Sequence, residues 1–503
     1  MSRKKLEIII LLCLSLCSFS GCGGCVRGER AETGAETYTD MEKSSEPESD
    51  MIESRSTAKD VTKTEEKDET RRRQETEQDT QETVETQEDT TENVEEEGSN
   101  GAVWEEPASV PPSAPTETAP MQPSSQELLT GGEIAEKNRI SFGMAGNGMV
   151  DLDTFQPQSA AQIRSMIEAY QIPNYPYYGG RPRTAQDDQA LLASRNLDSL
   201  QDPVNVRYGV IVSNAAVRSF PTDSAMTAGG SPGEFDYIQE TMLGVGEGVV
   251  ICHQTADQSY SFVQGYQYCG WIRTDCIGFC SREQMNEFIH PSSFVVVTDA
   301  AVYADNKKLR MGTRLPLAGD GGGEWYVTIP RPAPDGSLVT GIVGISKGSS
   351  HQGYLPYTEE GLLIQAQKMV GQPYGWGDMN ENMDCSSTMN CIYKSFGILM
   401  PRNTSQLASS SATVIGLSGM GVEEKRAVIR QSGPGSMLLM PGHVVMYVGE
   451  ENGISMIIHN VTGYSLDGGA VGAAMQCQRT PMDIFNTAGI NYMDLYTTLI
   501  RFG

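Results

Sequence analysis

Met383-Asp384-Cys385-Ser386-Ser387 and Pro441-Gly442-His443-Val444-Val445-Met446-Tyr447-Val448-Gly449 decide the reading of this 503-residue chain. In the first stretch a polar loop turns into an amphipathic helix, expected from Asp384 to about Phe396, with Cys385 in its first turn. Unsatisfied N–H groups and the helix dipole favour negative charge there, so the thiol pKa is expected to be lowered and the thiolate populated. Cys391 is the control: it lies among Met389, Ile392 and Tyr393 and should be inert. The second stretch is a turn followed by a strand that His443 opens.

The chain has five histidines, so the choice of a base is small. His253 and His351 fall in β or linker segments, and His290 precedes Pro291. The strand after that of His443 ends in His459-Asn460; if the two pair as a hairpin, His459 can fix the His443 tautomer, with Asn460 as its substitute. Thiol, imidazole and orienting group are the parts of a cysteine nucleophile with its base. Tyr374 and Trp376 sit in the Gly-rich loop before the cysteine; they either pack that loop or, for Tyr374, supply an oxyanion donor beside the Cys385 N–H.

Around these stretches residues 356–503 read as α+β. Thr358 caps a helix to Val370, and strands are expected at Met437 to Met440, Val444 to Val448, Ile454 to His459 and Tyr492 to Arg501. Upstream, short β-prone runs separated by turn residues fill 203–290 (Val206 to Val212, Met242 to Cys252, Ser261 to Tyr266, Gly270 to Arg273) and recur over 291–355. Each set has a Trp-bearing strand (Trp271, Trp325), which suggests two small β-barrels; one irregular β domain is the competing reading. Residues 131–202 read as a helical collar, with helices at Ser159 to Tyr170 and Ala185 to Leu197.

The N-terminal part supplies an address. Met-Ser-Arg-Lys-Lys, an apolar run from Leu6 to Cys17 and small residues to Cys22 form a signal peptide over 1–22, and Phe19-Ser20-Gly21-Cys22 resembles a lipobox with Cys22 as the lipidated residue. Residues 23–130 read as a disordered acidic linker. Over 31–130, 28 acidic residues face 8 basic ones, which accounts for −20 of the total charge of −28. The acidity therefore belongs to the linker and names no ligand. A self-repelling segment of this length spans roughly 50–60 Å even by flexible-coil scaling. No basic stripe invites nucleic acid. Seven cysteines remain in the folded part; Cys252, Cys269, Cys276 and Cys280 are expected as buried thiols or one bridge, since no histidine joins them at metal-ligand spacing.

Gln372-Pro373-Tyr374-Gly375-Trp376-Gly377, Asp384-Cys385-Ser386-Ser387, Pro401-Arg402-Asn403-Thr404-Ser405-Gln406 and Gly442-His443-Val444, in that order, resemble the NlpC/P60 cell-wall peptidases. Val206 to Ile211 with Val217-Arg218-Ser219-Phe220-Pro221-Thr222 resembles the bacterial SH3-like modules that precede one branch of that family. The resemblance implies a papain-like α+β peptidase domain behind two SH3-like barrels. It implies cleavage of γ-D-glutamyl–diamino acid bonds in murein stem peptides, with Cys385 as nucleophile, His443 as base, His459 as third polar residue and Tyr374 as oxyanion partner. In that branch the module and the residues beside the cysteine hold a free N-terminal L-alanine amine. Asp384 and Ser386 match the flanking positions; Trp376, Tyr268 and Glu247 are the further substrate contacts expected. Two departures stand out: Asp378, with an insertion to Met383, replaces a second glycine and a shorter link, and Ser387-Thr388 replaces Gly-Phe.

The expectation is a monomeric cysteine endopeptidase of the cell envelope. It needs no metal or cofactor, touches the membrane only through a lipid anchor, and has peptidoglycan stem peptides or murein fragments as partners. A non-hydrolytic wall-binding lipoprotein and an amidase or acyltransferase on the same scaffold are the alternatives.

Overall fold

The computed structural model describes residues 123–503, Pro232 and Glu234 excepted; the signal region, Cys22 and most of the acidic segment lie outside the described residues. Residues 123–130, expected in the linker, are part of the fold. Glu127–Leu129 pairs antiparallel with Tyr357–Thr358, and Leu129 is buried in the core of the C-terminal domain. Thr130 then caps the helix Gly131–Gly143 through a reciprocal box with Glu133.

The collar ties the other parts together. On Gly131–Gly143, Asn138 donates to Gly397 O at 2.8 Å and accepts from Leu399 N at 2.9 Å, so this helix belongs to the C-terminal domain. The helix Ala160–Glu168 instead sends Ile163 and Ile167 into the core of the first β unit, around Phe262 and Trp271.

That first unit is a seven-stranded antiparallel sheet in the order Ile277–Cys280, Arg207–Ile211, Gly248–Gln254, Tyr260–Gln264, Cys269–Arg273, Ala215–Arg218, Gln239–Leu243. The run read as one strand from Met242 to Cys252 is two, because Gly244-Val245-Gly246-Glu247 turns between them with Gly246 at φ 86°. The second unit has its own core of Val295, Leu309, Leu315, Val327 and Ile329 beneath five strands. It also carries a separate hairpin, Ala301–Ala304 with Lys307–Arg310, turned by Asp305 and Asn306 in the left-handed region. The tryptophans are not equivalent: Trp271 is buried, whereas Trp325 is half-buried under the Lys347 ammonium at 4.0 Å.

The C-terminal domain packs helices against a six-stranded antiparallel sheet in the order Thr413–Gly416, Thr498–Arg501, Met437–Met440, His443–Glu451, Ile454–Tyr464, Gly472–Pro481. Tyr492–Leu495, read as the start of a strand, is a helical turn because the Asn491 side chain caps Met493 N. The helix Cys385–Lys394 lies over the strand His443–Glu451, with Met389, Ile392 and Tyr393 buried. The helix expected to be amphipathic is buried on all sides from Cys385 to Tyr393, its first turn included, because loops as well as the sheet cover it. All seven cysteines of the folded part are free.

Candidate active site

Asp384 is the N-cap of the helix Cys385–Lys394: its Oδ1 accepts from Ser387 N at 2.9 Å, and Ser387 Oγ accepts in return from Asp384 N. Cys385 follows as the first helical residue, 7% exposed, with Sγ 3.8 Å from Thr404 Oγ1. The lowered thiol pKa expected from sequence is not what this site produces. Burial pushes the thiol up to about 12, and the Asp384 charge pushes the same way; the Thr404 hydroxyl, Val444 N–H and the Arg402 charge only partly offset them. Helix position alone misled, because it says nothing of what covers the helix end.

The turn Pro441-Gly442, with Gly442 at φ 72°, sets Met440 opposite His443 and starts the strand on the imidazole. His443 Nε2 lies 3.0 Å from His459 Nδ1, and His459 Nε2 lies 3.4 Å from Thr480 Oγ1. Burial lowers His443 to about 4 and His459 well below an ordinary imidazole, with the neighbouring His443 adding to the latter shift. Tyr492 meets both rings edge-on, at 6.0 and 5.8 Å. Asn460 is not in this relay: it donates to Met383 O at 2.7 Å and to Thr388 Oγ1, bracing the approach to the cysteine. Because Nε2 of His443 faces His459, Nδ1 is the nitrogen left for proton transfer with a thiol.

Asp384 and Ser386 are held by one guanidinium. Arg402 Nη2 is 2.7 Å from Asp384 Oδ2, its Nη1 donates to Ser386 Oγ at 2.8 Å, and its Nε donates to Thr241 Oγ1 of the first β unit at 2.5 Å. Burial opposes the Arg402 charge, but Asp384 and Asp378 outweigh it and raise its pKa. The Gly-rich loop meets the first β unit through aromatic rings. Trp376 stacks on Phe235 at 5.6 Å and meets Tyr237 edge-on, while Tyr374 is 6.0 Å from Phe235. This edge of the β unit thus lies against the loop that precedes the helix start.

Residues 371–480 match the NlpC/P60 family model, and residues 224–273 match an SH3 domain of the SH3b1 type. The chain carries an NlpC/P60 domain behind an SH3b1-type domain. A solved NlpC/P60 endopeptidase from Photobacterium damselae subsp. piscicida shares this fold over 76% of this chain and 98% of its own, at 19% identity and a TM-score of 0.60. An NlpC/P60 family protein from Bacillus cereus aligns over 58% of this chain and 99% of its own, at 17% identity and a TM-score of 0.40. No curated protein matches.

The SH3b1-type domain brings to the NlpC/P60 domain one expected residue and one unexpected one. Tyr268 donates to Glu240 Oε2 at 2.6 Å, and both lie within electrostatic reach of Arg402. Burial raises the Glu240 carboxyl, against hydrogen bonds from Tyr268 and Ser219 and the charges of Arg402 and Arg218. Glu247 sits elsewhere, paired at 2.6 Å with Lys394 at the far end of the helix Cys385–Lys394. The acidic partner of Tyr268 was missed because it lies on the strand Gln239–Leu243, ahead of the run read from Met242 to Cys252.

Proposed function

We propose that this protein is a cysteine endopeptidase that cleaves the bond between γ-linked D-glutamate and a diamino acid in murein stem peptides. The observation that carries the reading is the relay at the helix start: a thiol in the first turn of its helix and an imidazole whose Nε2 is already engaged by His459. His443 Nδ1 takes the thiol proton as Cys385 Sγ adds to the γ-carbonyl carbon. The oxyanion is met by Cys385 N–H and the Tyr374 hydroxyl. The imidazolium then gives its proton to the leaving amine of the diamino acid as the C–N bond breaks, leaving a thioester. Water, deprotonated by His443, hydrolyses that thioester, freeing the glutamyl carboxylate and restoring the thiol.

Burial favours the uncharged forms of both partners, so the pair rests neutral and the proton moves when substrate closes the site. Glu240, Tyr268, Asp384 and Ser386 form the subsite for the free ammonium of an N-terminal L-alanine, whose positive charge would offset the buried Glu240 carboxyl. Trp376 walls that subsite. The second β unit is an SH3-like barrel, and with the first it holds the enzyme on the wall. Lipid on Cys22 and the acidic segment keep it outside the membrane within reach of murein.

The test is incubation with L-Ala-γ-D-Glu-diaminopimelate. Release of L-Ala-D-Glu is expected, and wild-type cleavage by Cys385→Ala would overturn the mechanism. The buried, weakly acidic thiol favours one second reading, a non-hydrolytic wall-binding protein; binding of the peptide without any product would establish it.

A further inference from the structure

The departure at Asp378 leads into a loop shaped from outside the NlpC/P60 domain. Gly377, Asp378, Asn380 and Glu381 all hold positive φ (53°, 64°, 56° and 58°), a conformation that glycine, Asp and Asn adopt readily but that is uncommon for Glu381. The surroundings of this loop are both β units. Gln239 Nε2 donates to Gly377 O at 2.8 Å, and Asp236 N approaches Met379 Sδ at 3.3 Å from the first. From the hairpin of the second, Lys308 Nζ donates to Glu381 O at 3.0 Å and Arg310 Nη1 lies 3.3 Å from Asp378 Oδ2.

Asp378 is 1% exposed at its side chain and its Oδ2 is shared three ways: Thr241 donates to it at 3.2 Å, Arg310 faces it, and Arg402 stands off at 3.5 Å. Arg402 thus lies between two carboxylates and is closer to Asp384, at 2.7 Å. Arg310 and Arg402 are two cations for the two carboxylates Asp378 and Asp384, so loss of Arg310 alone leaves one carboxylate in excess. We propose that Asp378 and Arg310 are positioning residues: by neutralising Asp378, Arg310 leaves Arg402 on Asp384 and Ser386, so the second β unit sets the geometry beside the thiol. The proposal rests on the reading of Cys385 as the reactive thiol. It goes beyond that reading in giving the second β unit a part in the site without any contact with substrate.

Without Arg310, the buried Asp378 carboxylate draws Arg402 toward itself. Asp384 is then less neutralised, and since its charge makes the thiol less acidic and that of Arg402 more so, Cys385 becomes less reactive. The experiment is the rate of iodoacetamide labelling at Cys385, mapped by mass spectrometry on the folded chain at mildly alkaline pH. Arg310→Met should slow it about fivefold or more, and Arg310→Met with Asp378→Asn should return it to within about twofold of wild type, because the unbalanced charge is gone. kcat for the stem peptide should fall with the labelling rate in the single variant and recover in the double, with a smaller change in KM. If Arg310→Met does not fold, Arg310→Lys keeps the charge and should label within about threefold of wild type. An unchanged rate in Arg310→Met, a double variant as slow as the single, or a lysine variant slower than threefold would overturn the proposal. A wild type that labels as described but never cleaves murein peptides removes the proposed function alone.

Discussion

Arg402 Nε donates to Thr241 Oγ1 at 2.5 Å while Nη2 of the same side chain holds Asp384 at 2.7 Å. One guanidinium therefore joins the SH3b1-type domain to the N-cap of the helix that Cys385 opens. A planar fork can satisfy both partners at once, which a lysine ammonium cannot.

Removing that fork leaves two buried carboxylates without their shared cation. Arg402→Met is expected to cost roughly 3–5 kcal/mol, the range for breaking a buried ion pair from one side. Arg402→Lys should recover only part of it. Chemical denaturation of the folded part measures both, and a loss within experimental error for Arg402→Met would contradict the burial of this network.

The imidazole relay fixes a pH profile. Burial keeps His443 neutral down to about 4 rather than 6.5, and on the proposed mechanism the neutral ring is the base. As pH falls through that lower value the base takes its proton and kcat/KM is lost. The acid limb should therefore lie well below an ordinary imidazole. An acid limb near the ordinary histidine value would show that the native site does not keep His443 neutral.

The same shift has a consequence for stability. As pH falls through 6.5 the unfolded chain binds a proton at His443 that the native state refuses until about 4. The stability present above the first value is lost as pH drops toward the second. In a urea series across that window, His443→Phe should flatten the decline; an unchanged slope would assign the decline to other groups.

Glu240→Gln removes a buried charge but keeps the size of the side chain. If the ammonium subsite is as proposed, KM for a peptide with a free L-alanine amine should rise about tenfold or more, with a smaller change in kcat. N-acetylation of the peptide should produce a like loss in wild type and little further loss in the variant. Equal sensitivity of the two proteins to acetylation would remove Glu240 from the subsite.

The hairpin that joins His443 to His459 was legible because two β-prone runs follow one another closely, a local signal, although a bulge between Tyr447 and Gly449 interrupts the register. The helix Cys385–Lys394 was legible for the same reason: Asp384 and Ser387 cap it within four residues. What stayed hidden depends on surfaces that meet across long sequence separations. The burial of Cys385 comes from its cover, not from its helix. The pairing of Tyr268 with Glu240, rather than with Glu247, depends on which strand edge faces the other domain. Tyr492 was read into a strand, although a short cap at Asn491 turns it onto the imidazoles.

The short strand Glu127–Leu129 has one more consequence. Ser124 N bonds Glu359 across 235 residues, Glu127–Leu129 pairs with Tyr357–Thr358, and Tyr357 Oη donates to Phe502 O. The first and last described segments thus close on the same domain, and both β units form an excursion between them. During synthesis the earliest of these strands has to wait for partners made last, so the domain that holds the thiol cannot be completed until both β units have left the ribosome. Cys385 therefore reaches its buried setting only after the β units that meet its neighbours Arg402 and Asp378 have been made.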